Sequence, residues 1–370
     1  MTSPIDPPPL RPGEAYLAGV AAGRWQKDPA QLAALAELDR IHDALLHRSG
    51  SGLFARLAQQ FRRDEAPRGL YLWGGVGRGK TFVVDLFYEH LPLEAKRRVH
   101  FHRFMGEVHA RIRSLGQRTD PLVEVAAGYA AQLRVLCLDE FFVADIGDAM
   151  ILGRLLEQLF ARGVVLVTTS NTEPANLYRD GLQRARFLPA IALLQRHCAV
   201  HHLVSPHDYR LRSLTQAPTY LAPLDAAAAA ALEACYVRLT ADTVRDGEPL
   251  TINERVIETV DSSEGVAWFE FAALCEGPRA VADYIEIARD FHTVLLGNVP
   301  QFDRQREDAA LRFVHLVDEF YDRNVNLILS AAAPPTELYR GERHRFAFER
   351  TASRLIEMQS EAYLAREHRP

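Results

Sequence analysis

The chain has 370 residues, 48% of them apolar and 25% charged, and 43 Lys plus Arg against 48 Asp plus Glu leave a net charge of −5. A chain of this length and make-up can bury a real core, as two or three domains or as one large α/β unit with an appended lobe. The acidic balance gives no support to a nucleic-acid partner, and no stretch is long and apolar enough to span a bilayer.

Residues 1–12 are proline-rich and read as loose. The N-terminus lacks the apolar stretch of a signal peptide, and Asp6 and Glu14 argue against an organelle transit peptide, so a cytoplasmic protein is expected, with membrane contact at most peripheral. Residues 14–62 read as helical, with Asp28 as N-cap and Pro29 at the first helical position. "GLYLW" is a short strand, and "TFVVDLFYEHL" returns to helical spacing. "RVHFHRF" reads as a second strand leading into a helix near "MGEVHARIRSL". "RVLCLDE" is a third strand, apolar on both faces as a buried parallel strand should be. "DIGDAMILGRLLEQLFARG" is an amphipathic helix capped by Asp145, and "VVLVTTSN" is a fourth strand. "EPANLYRDG" and "FLPAIALLQRH" read as helices, and "AVHHLV" as a fifth strand. This alternation predicts a parallel sheet with helices on both faces.

Beyond residue 207 the rhythm changes. "DYRLR" reads as an isolated strand, followed by a helix over 224–240 and the short β runs "EPLTIN", "ERVIETV" and "VAWFEF". A helix at 279–290, the strand "HTVLLGN", a helix at 302–322, the strand "NVNLILSA" and a last helix "ERTASRLIEMQSEAYL" complete a second α/β region. The expected organisation is a helical segment over 1–62, a core over 63–206 and a C-terminal α/β region over 207–370. Residues 161–179 align without gaps on 322–340. That echo is either a chance likeness of two helix–strand units or a degenerate second copy, in which Ala332 replaces Asn171.

The four cysteines, Cys137, Cys198, Cys235 and Cys275, are far apart and form no CxxC pair. They read as reduced, buried thiols, not as a disulfide or zinc framework.

The segment Gly74-Gly75-Val76-Gly77-Arg78-Gly79-Lys80-Thr81 fits G-x-x-x-x-G-K-[ST] and lies between a strand and a helix, where that motif must lie. Glycines allow positive φ and close approach of the backbone to phosphate oxygens, at the positive end of a helix dipole. Lys80 is placed to reach the β- and γ-phosphates, and Thr81 to offer a hydroxyl to Mg²⁺. Asp139 and Glu140 end a buried strand: the first suits the Mg²⁺ water shell, the second suits polarising an attacking water. No N-K-x-D base-reading motif of GTPases is present. ATP with Mg²⁺ is therefore the expected ligand pair.

Asn171, ending "VTTSN", stands where P-loop ATPases of the additional-strand class place a polar residue beside the γ-phosphate; the other reading is a helix cap. Arg184 and Arg186 come next. An arginine here can face the nucleotide of a neighbouring subunit, with Arg184 preferred, which implies a homo-oligomer in the ATP state; the other reading is a solvated basic turn or an ion pair within the chain. Gln31 reads either as an adenine reader or as a surface helix residue. Phe104 and Met105 read as core packing or as a pore loop gripping a polypeptide. His100 and His102, taken as alternating on a strand, lack the further ligands of a metal site. Arg210 and Arg212 read as a charged strand face or as phosphate sensors.

The strings "GGVGRGKT", "HFHRFM", "LDEFFVADIGDAM", "TTSN", "LYRDGLQRARFLPAI" and "DYRLR" together resemble the ZapE cell-division ATPases of bacteria and their mitochondrial relatives, an AAA+-like family. "DEFYDRNVNLILSA" and "RLIEMQSEAYLAREH" extend the resemblance from residue 14 to the C-terminus. It implies a P-loop core of the additional-strand class with an appended C-terminal α/β region. It also implies an ATPase that acts at the division ring and lowers the stability of FtsZ polymers. Two other readings remain open: a nucleotide-gated adaptor, and an ATPase acting on membrane proteins as mitochondrial relatives do.

Overall fold

In a computed structural model, the described residues are 10–49, 66–75, 77–116, 118–143, 146–205, 214–215, 218–240, 249–253, 255–263 and 265–369. The expectations for Val76, the Asp145 cap, "DYRLR" with Arg210 and Arg212, and residues 50–62 of the N-terminal helical segment lie outside them. The chain divides into two compact units, 1–207 and 208–370.

The first unit opens with α1 (Pro12–Ala21) and α2 (Pro29–Ser49) and continues with β1 (Gly69–Trp73), α3 (Lys80–His90) and β2 (Lys96–His100). Next come α4 (Phe101–Leu115), α5 (Pro121–Gln132), β3 (Val135–Asp139), α6 (Ile146–Ala161) and β4 (Val165–Ser170). Two 3₁₀ turns (Pro174–Asn176 and Arg184–Arg186), α7 (Leu188–His197) and β5 (Cys198–His202) complete it. The sheet order is β2-β3-β4-β1-β5, with every pair parallel.

The strands read as continuous apolar runs because alternate residues feed two cores. Leu70, Leu72, Val135, Cys137, Val165 and Val167 pack with α1, α2 and α3 on one face. Tyr71, Leu136, Leu138 and Leu166 pack with α4 to α7 on the other. Each such side chain removed from water is worth about 1.5–3 kcal/mol, so both helical layers are held by the same strands.

Several expectations are corrected. The second strand ends at His100, and a helix begins at Phe101. Phe101, Phe104, Met105 and Val108 fall at helical spacing and are all buried, so period 3.6 wins over the short β-like run. His102 therefore does not share a strand with His100, and Phe104 and Met105, 0% and 1% exposed, are core residues and not a pore loop. Helix α5 had no counterpart in the sequence reading, although Leu122, Val125, Ala126 and Tyr129 pack on the core at helical spacing. "EPANLYRDG" forms only one 3₁₀ turn, and Tyr178 after it takes positive φ.

The second unit contains β6 (Tyr220–Leu221), α8 (Ala226–Leu239), the hairpin β7 (Leu250–Ile252) and β8 (Arg255–Ile257), β9 (Asp261–Ser263) and β10 (Val266–Glu270). A π turn (Ala272–Glu276), α9 (Val281–Asp290), β11 (Thr293–Val299), α10 (Glu307–Asp322), β12 (Asn326–Ala331) and a 3₁₀ turn (Pro335–Glu337) continue it. The chain ends in α11 (Arg345–Glu357) and α12 (Glu361–Leu364); the last expected helix is thus two, the second capped by Ser360. The sheet order is β6-β12-β11-β10-β9, with β9 antiparallel and the rest parallel. No helix among the described residues is long and apolar enough to cross a membrane.

All four cysteines are free and buried, and burial pushes the Cys198 thiol up to about 12. A thiol kept neutral and shielded is a poor nucleophile. The folded protein should therefore give no rapid reaction with Ellman's reagent, and four equivalents after denaturation; a fast-reacting thiol in the folded chain would contradict this packing.

Candidate active site

The loop after β1 is shaped by its glycines. The Gly74 N–H donates to the Ser170 carbonyl at 3.2 Å, and a Cβ at Gly74 would come within 2.5 Å of the Leu203 carbonyl oxygen. Gly77 and Gly79 take φ of 72° and 85°, which side chains resist. Gly79 is also the N-cap of α3 and supplies no capping side chain. The first-turn N–H groups of α3 are thus left for an external anion, at the positive end of its dipole.

Lys80 opens α3 and is 9% exposed. Its Nζ donates to the carbonyls of Gly74 and Gly75 and to Oδ1 of Asn171, each at 2.8 Å. The loop lysine and the residue that follows β4 are therefore in direct contact, although 91 residues separate them in the chain.

The acidic pair lies at the end of β3. Asp139 is 2% exposed and meets Arg98 of β2 through Nε at 2.6 Å and Nη2 at 3.3 Å. Arg98 also pairs, through Nη1, with Asp85 of α3. Burial pushes the Asp85 carboxyl up to about 7, against the pull of Arg98. Glu140 has φ of 52°, a left-handed conformation costing about 1–3 kcal/mol for a residue with a side chain. Two bonds to β4 hold it there: the Glu140 N–H donates to Thr169 Oγ1 at 3.1 Å, and the Phe141 N–H to the Thr169 carbonyl at 2.7 Å. Thr169 Oγ1 in turn donates to Asp139 Oδ1 at 3.3 Å, while Thr168 and Ser170 donate to the carbonyls of Leu138 and Phe141.

Lys80, Asn171, Asp139 and Glu140 thus gather at the carboxyl ends of β1, β4 and β3. Thr81, beside Lys80, lies in the first turn of α3. Arg78 donates from Nη1 to the Ser205 carbonyl at 2.8 Å. Gln31 is 3% exposed and points its Nε2 at the Arg78 carbonyl at 3.5 Å, so it is not a surface helix residue. Arg184 is tied elsewhere: its Nη2 donates to the Ala175 carbonyl at 2.7 Å, and its buried Nε has no partner among the described residues. Arg186 is exposed.

Sequence reasoning missed Arg98, Asp85 and Thr169. The signal for Thr169 was present in the hydroxyl run "TTS"; that for Arg98 was a cation in a strand able to pair with the acidic one. The fit to a nucleoside triphosphate with its metal rests on the geometry of the loop: an uncapped helix start, glycines at positive φ and a cation at its base. Asp139 and Thr81 are oxygen donors of the kind Mg²⁺ takes.

A phosphate-loop strand separated from the acidic strand by a third, with a lysine–asparagine link across the gap, defines a P-loop ATPase of the additional-strand class. The family model described as AFG1-like ATPase matches residues 10–367. The chain is 46% identical to the cell division protein ZapE of Escherichia coli K12, over 97% of this chain and 98% of that protein. It is 36% identical to an uncharacterised protein of Schizosaccharomyces pombe, covering 89% of this chain and 80% of that one. It is 37% identical to lactation elevated protein 1 homolog B of Danio rerio, covering 82% and 70%. The chain belongs to the AFG1-like ATPase family and is an ATP hydrolase.

Arg98 is the cation shared by Asp85 and Asp139, and all three side chains are nearly shielded, at 12%, 9% and 3% exposure. Removing one partner of a buried ion group strands the other charges. Arg98→Met should lower the unfolding free energy by about 3–5 kcal/mol in urea titrations, with Arg98→Lys losing less; an unchanged midpoint for Arg98→Met would contradict the ion group.

Proposed function

We propose that this ATPase couples Mg²⁺-dependent hydrolysis of ATP to the remodelling of a protein partner in bacterial cell division, and that the partner is the FtsZ polymer. The observation that carries the hydrolytic part is the Lys80–Asn171 contact beside the Asp139–Glu140 strand end. In this reading the backbone of Gly74 to Gly79, Val76 included, cradles the phosphates, and Lys80 takes their negative charge. Mg²⁺, when bound, neutralises charge on the β- and γ-phosphate oxygens, and Thr81 and Asp139 would hold it. Glu140 orients and polarises water, Asn171 marks the γ-phosphate, and Gln31 reads the base edge.

Coupling to a partner is supported by the residues that adjoin the site. Phe142 and Val143, just after Glu140, and Thr172, just after Asn171, line a cavity of about 350 Å³ with residues 176–181. Phe142 is 43% exposed. A shift of Glu140 or Asn171 on hydrolysis would move that wall. Arg184 would leave its bond to the Ala175 carbonyl to act on the nucleotide of a second copy; the active form is then a homo-oligomer. The buried, reduced thiols suit a cytoplasmic setting, with membrane contact at most peripheral and no nucleic acid as partner. The ZapE name of a relative 46% identical supports the cell-division role.

Glu140→Gln should keep ATP binding and lose turnover by about 100-fold or more, the range of a general base; wild-type turnover would remove Glu140 from the reaction. Arg184→Ala should bind ATP and lose about 10³-fold in rate, and mixing it with Lys80→Ala should restore part of the activity if the arginine acts between copies. Sedimentation of FtsZ polymer should fall with the wild-type protein and ATP and stay unchanged with Glu140→Gln. Equal loss with a non-hydrolysable analogue would favour an adaptor gated by binding alone.

A further inference from the structure

The second unit repeats the construction of the first. One interval of 161 residues separates the helix starts Ile146 and Glu307, the strand starts Val165 and Asn326, and the 3₁₀ starts Pro174 and Pro335, and the paired elements are equal in length. Between helix and strand, Gly163 and Asn324 both take positive φ, of 80° and 53°. After it, the rings of Tyr178 and Phe187 meet at 5.6 Å, and those of Tyr339 and Phe348, the same interval on, at 4.8 Å.

The neighbouring strands agree as well. Tyr71 pairs with Thr168 and Tyr220 with Leu329. The Tyr71 hydroxyl donates to the Thr172 carbonyl at 2.9 Å, and the Tyr220 hydroxyl to the Ala333 carbonyl at 2.7 Å. On the other side, Leu138 pairs with Thr168 and Leu296 with Leu329. Two residues further, Glu140 and Asn298 both have positive φ. The Glu140 N–H donates to the Thr169 hydroxyl at 3.1 Å, and the Asn298 N–H to the Ser330 hydroxyl at 2.9 Å. The order β10-β11-β12-β6 thus reproduces β2-β3-β4-β1. Chance likeness of two helix–strand units explains a shared pattern of apolar residues; it does not explain matched register, matched left-handed residues and matched hydroxyl bonds across three adjacent strands.

The chemistry is what differs. Where the first unit runs from Gly74 to Gly79, the second has Ala222-Pro223-Leu224-Asp225. The helix then opens with Ala226 and Ala227 in place of Lys80 and Thr81. Its N-terminus is closed by its own Asp225 carboxylate, which accepts from the Ala228 N–H at 2.7 Å. That carboxylate stands where the first unit leaves N–H groups for a phosphate. Gly297 replaces Asp139, Asn298 replaces Glu140, and Ala332 replaces Asn171. At the end of β10, Glu270 accepts from Asn298 Nδ2 at 2.8 Å, adding a second carboxylate to that sheet end.

We infer that the C-terminal unit is a second copy of the ATPase sheet stripped of its phosphate chemistry, so that the chain takes one nucleotide, in its first unit. The count rests on the proposed site of that first unit; the identity of the two constructions does not. Equilibrium dialysis of the full chain with Mg²⁺ and a non-hydrolysable ATP analogue should give one equivalent bound per wild-type chain and none for Lys80→Ala. Two equivalents in the wild type, or one surviving in Lys80→Ala, would overturn the inference while leaving the first site standing. No binding by the wild type would overturn both the count and the proposed first site.

Discussion

The site depends on β4 lying between β1 and β3. From that position it touches both halves of the chemistry. Asn171, which directly follows it, accepts a bond from Lys80, and the strand's hydroxyl row bonds the acidic strand at Leu138, Asp139, Glu140 and Phe141. Because strand side chains alternate between faces, a slip of one residue would turn Thr169 away and leave the Glu140 N–H without its hydroxyl. Three buried hydroxyls in a row are expensive unless each is bonded. Here each is bonded to the strand that carries the acids, so the packing of β4 and the placement of Glu140 are one constraint.

Charge is managed on two sides of that strand. Lys80 rests on carbonyl and amide oxygens of the loop and of Asn171, acceptors that a phosphate oxygen can outcompete because it carries full charge. Asp139 is held by Arg98 and Thr169, which fixes the direction of its carboxylate. Arg98 spans to Asp85 on α3, the helix that the phosphate loop begins. The acidic strand and the phosphate loop are therefore linked twice, through β4 with its following Asn171 and through Arg98.

Much of this was legible in the residues. The glycine–lysine–threonine segment and the "LCLDE" strand carry their chemistry in local spacing, and the alternation of strands and helices pointed to the parallel core. What was not legible depends on partners distant in sequence. Arg98 looks like a surface arginine until β2 pairs with β3, 41 residues away. The row 101–104 looks like the rest of a strand until the buried set Phe101, Phe104, Met105 and Val108 is seen to follow helical spacing. The echo of 161–179 in 322–340 was visible as letters, but its extent was not. Tyr220, Asn298 and Ser330 match Tyr71, Glu140 and Thr169 by register and by φ, neither of which is written in one stretch of sequence.

The central claim is that Lys80 exchanges its loop and Asn171 acceptors for phosphate oxygens. A crystal structure with Mg²⁺ and a non-hydrolysable ATP analogue tests it directly. Triphosphate density is expected along residues 74–81, with Lys80 Nζ within hydrogen-bonding distance of the β- and γ-phosphates, and with the Asp139 and Glu140 carboxylates facing the metal and the terminal phosphate. A nucleotide seated elsewhere, or Lys80 still bound to Gly74, Gly75 and Asn171 with the analogue present, would contradict it.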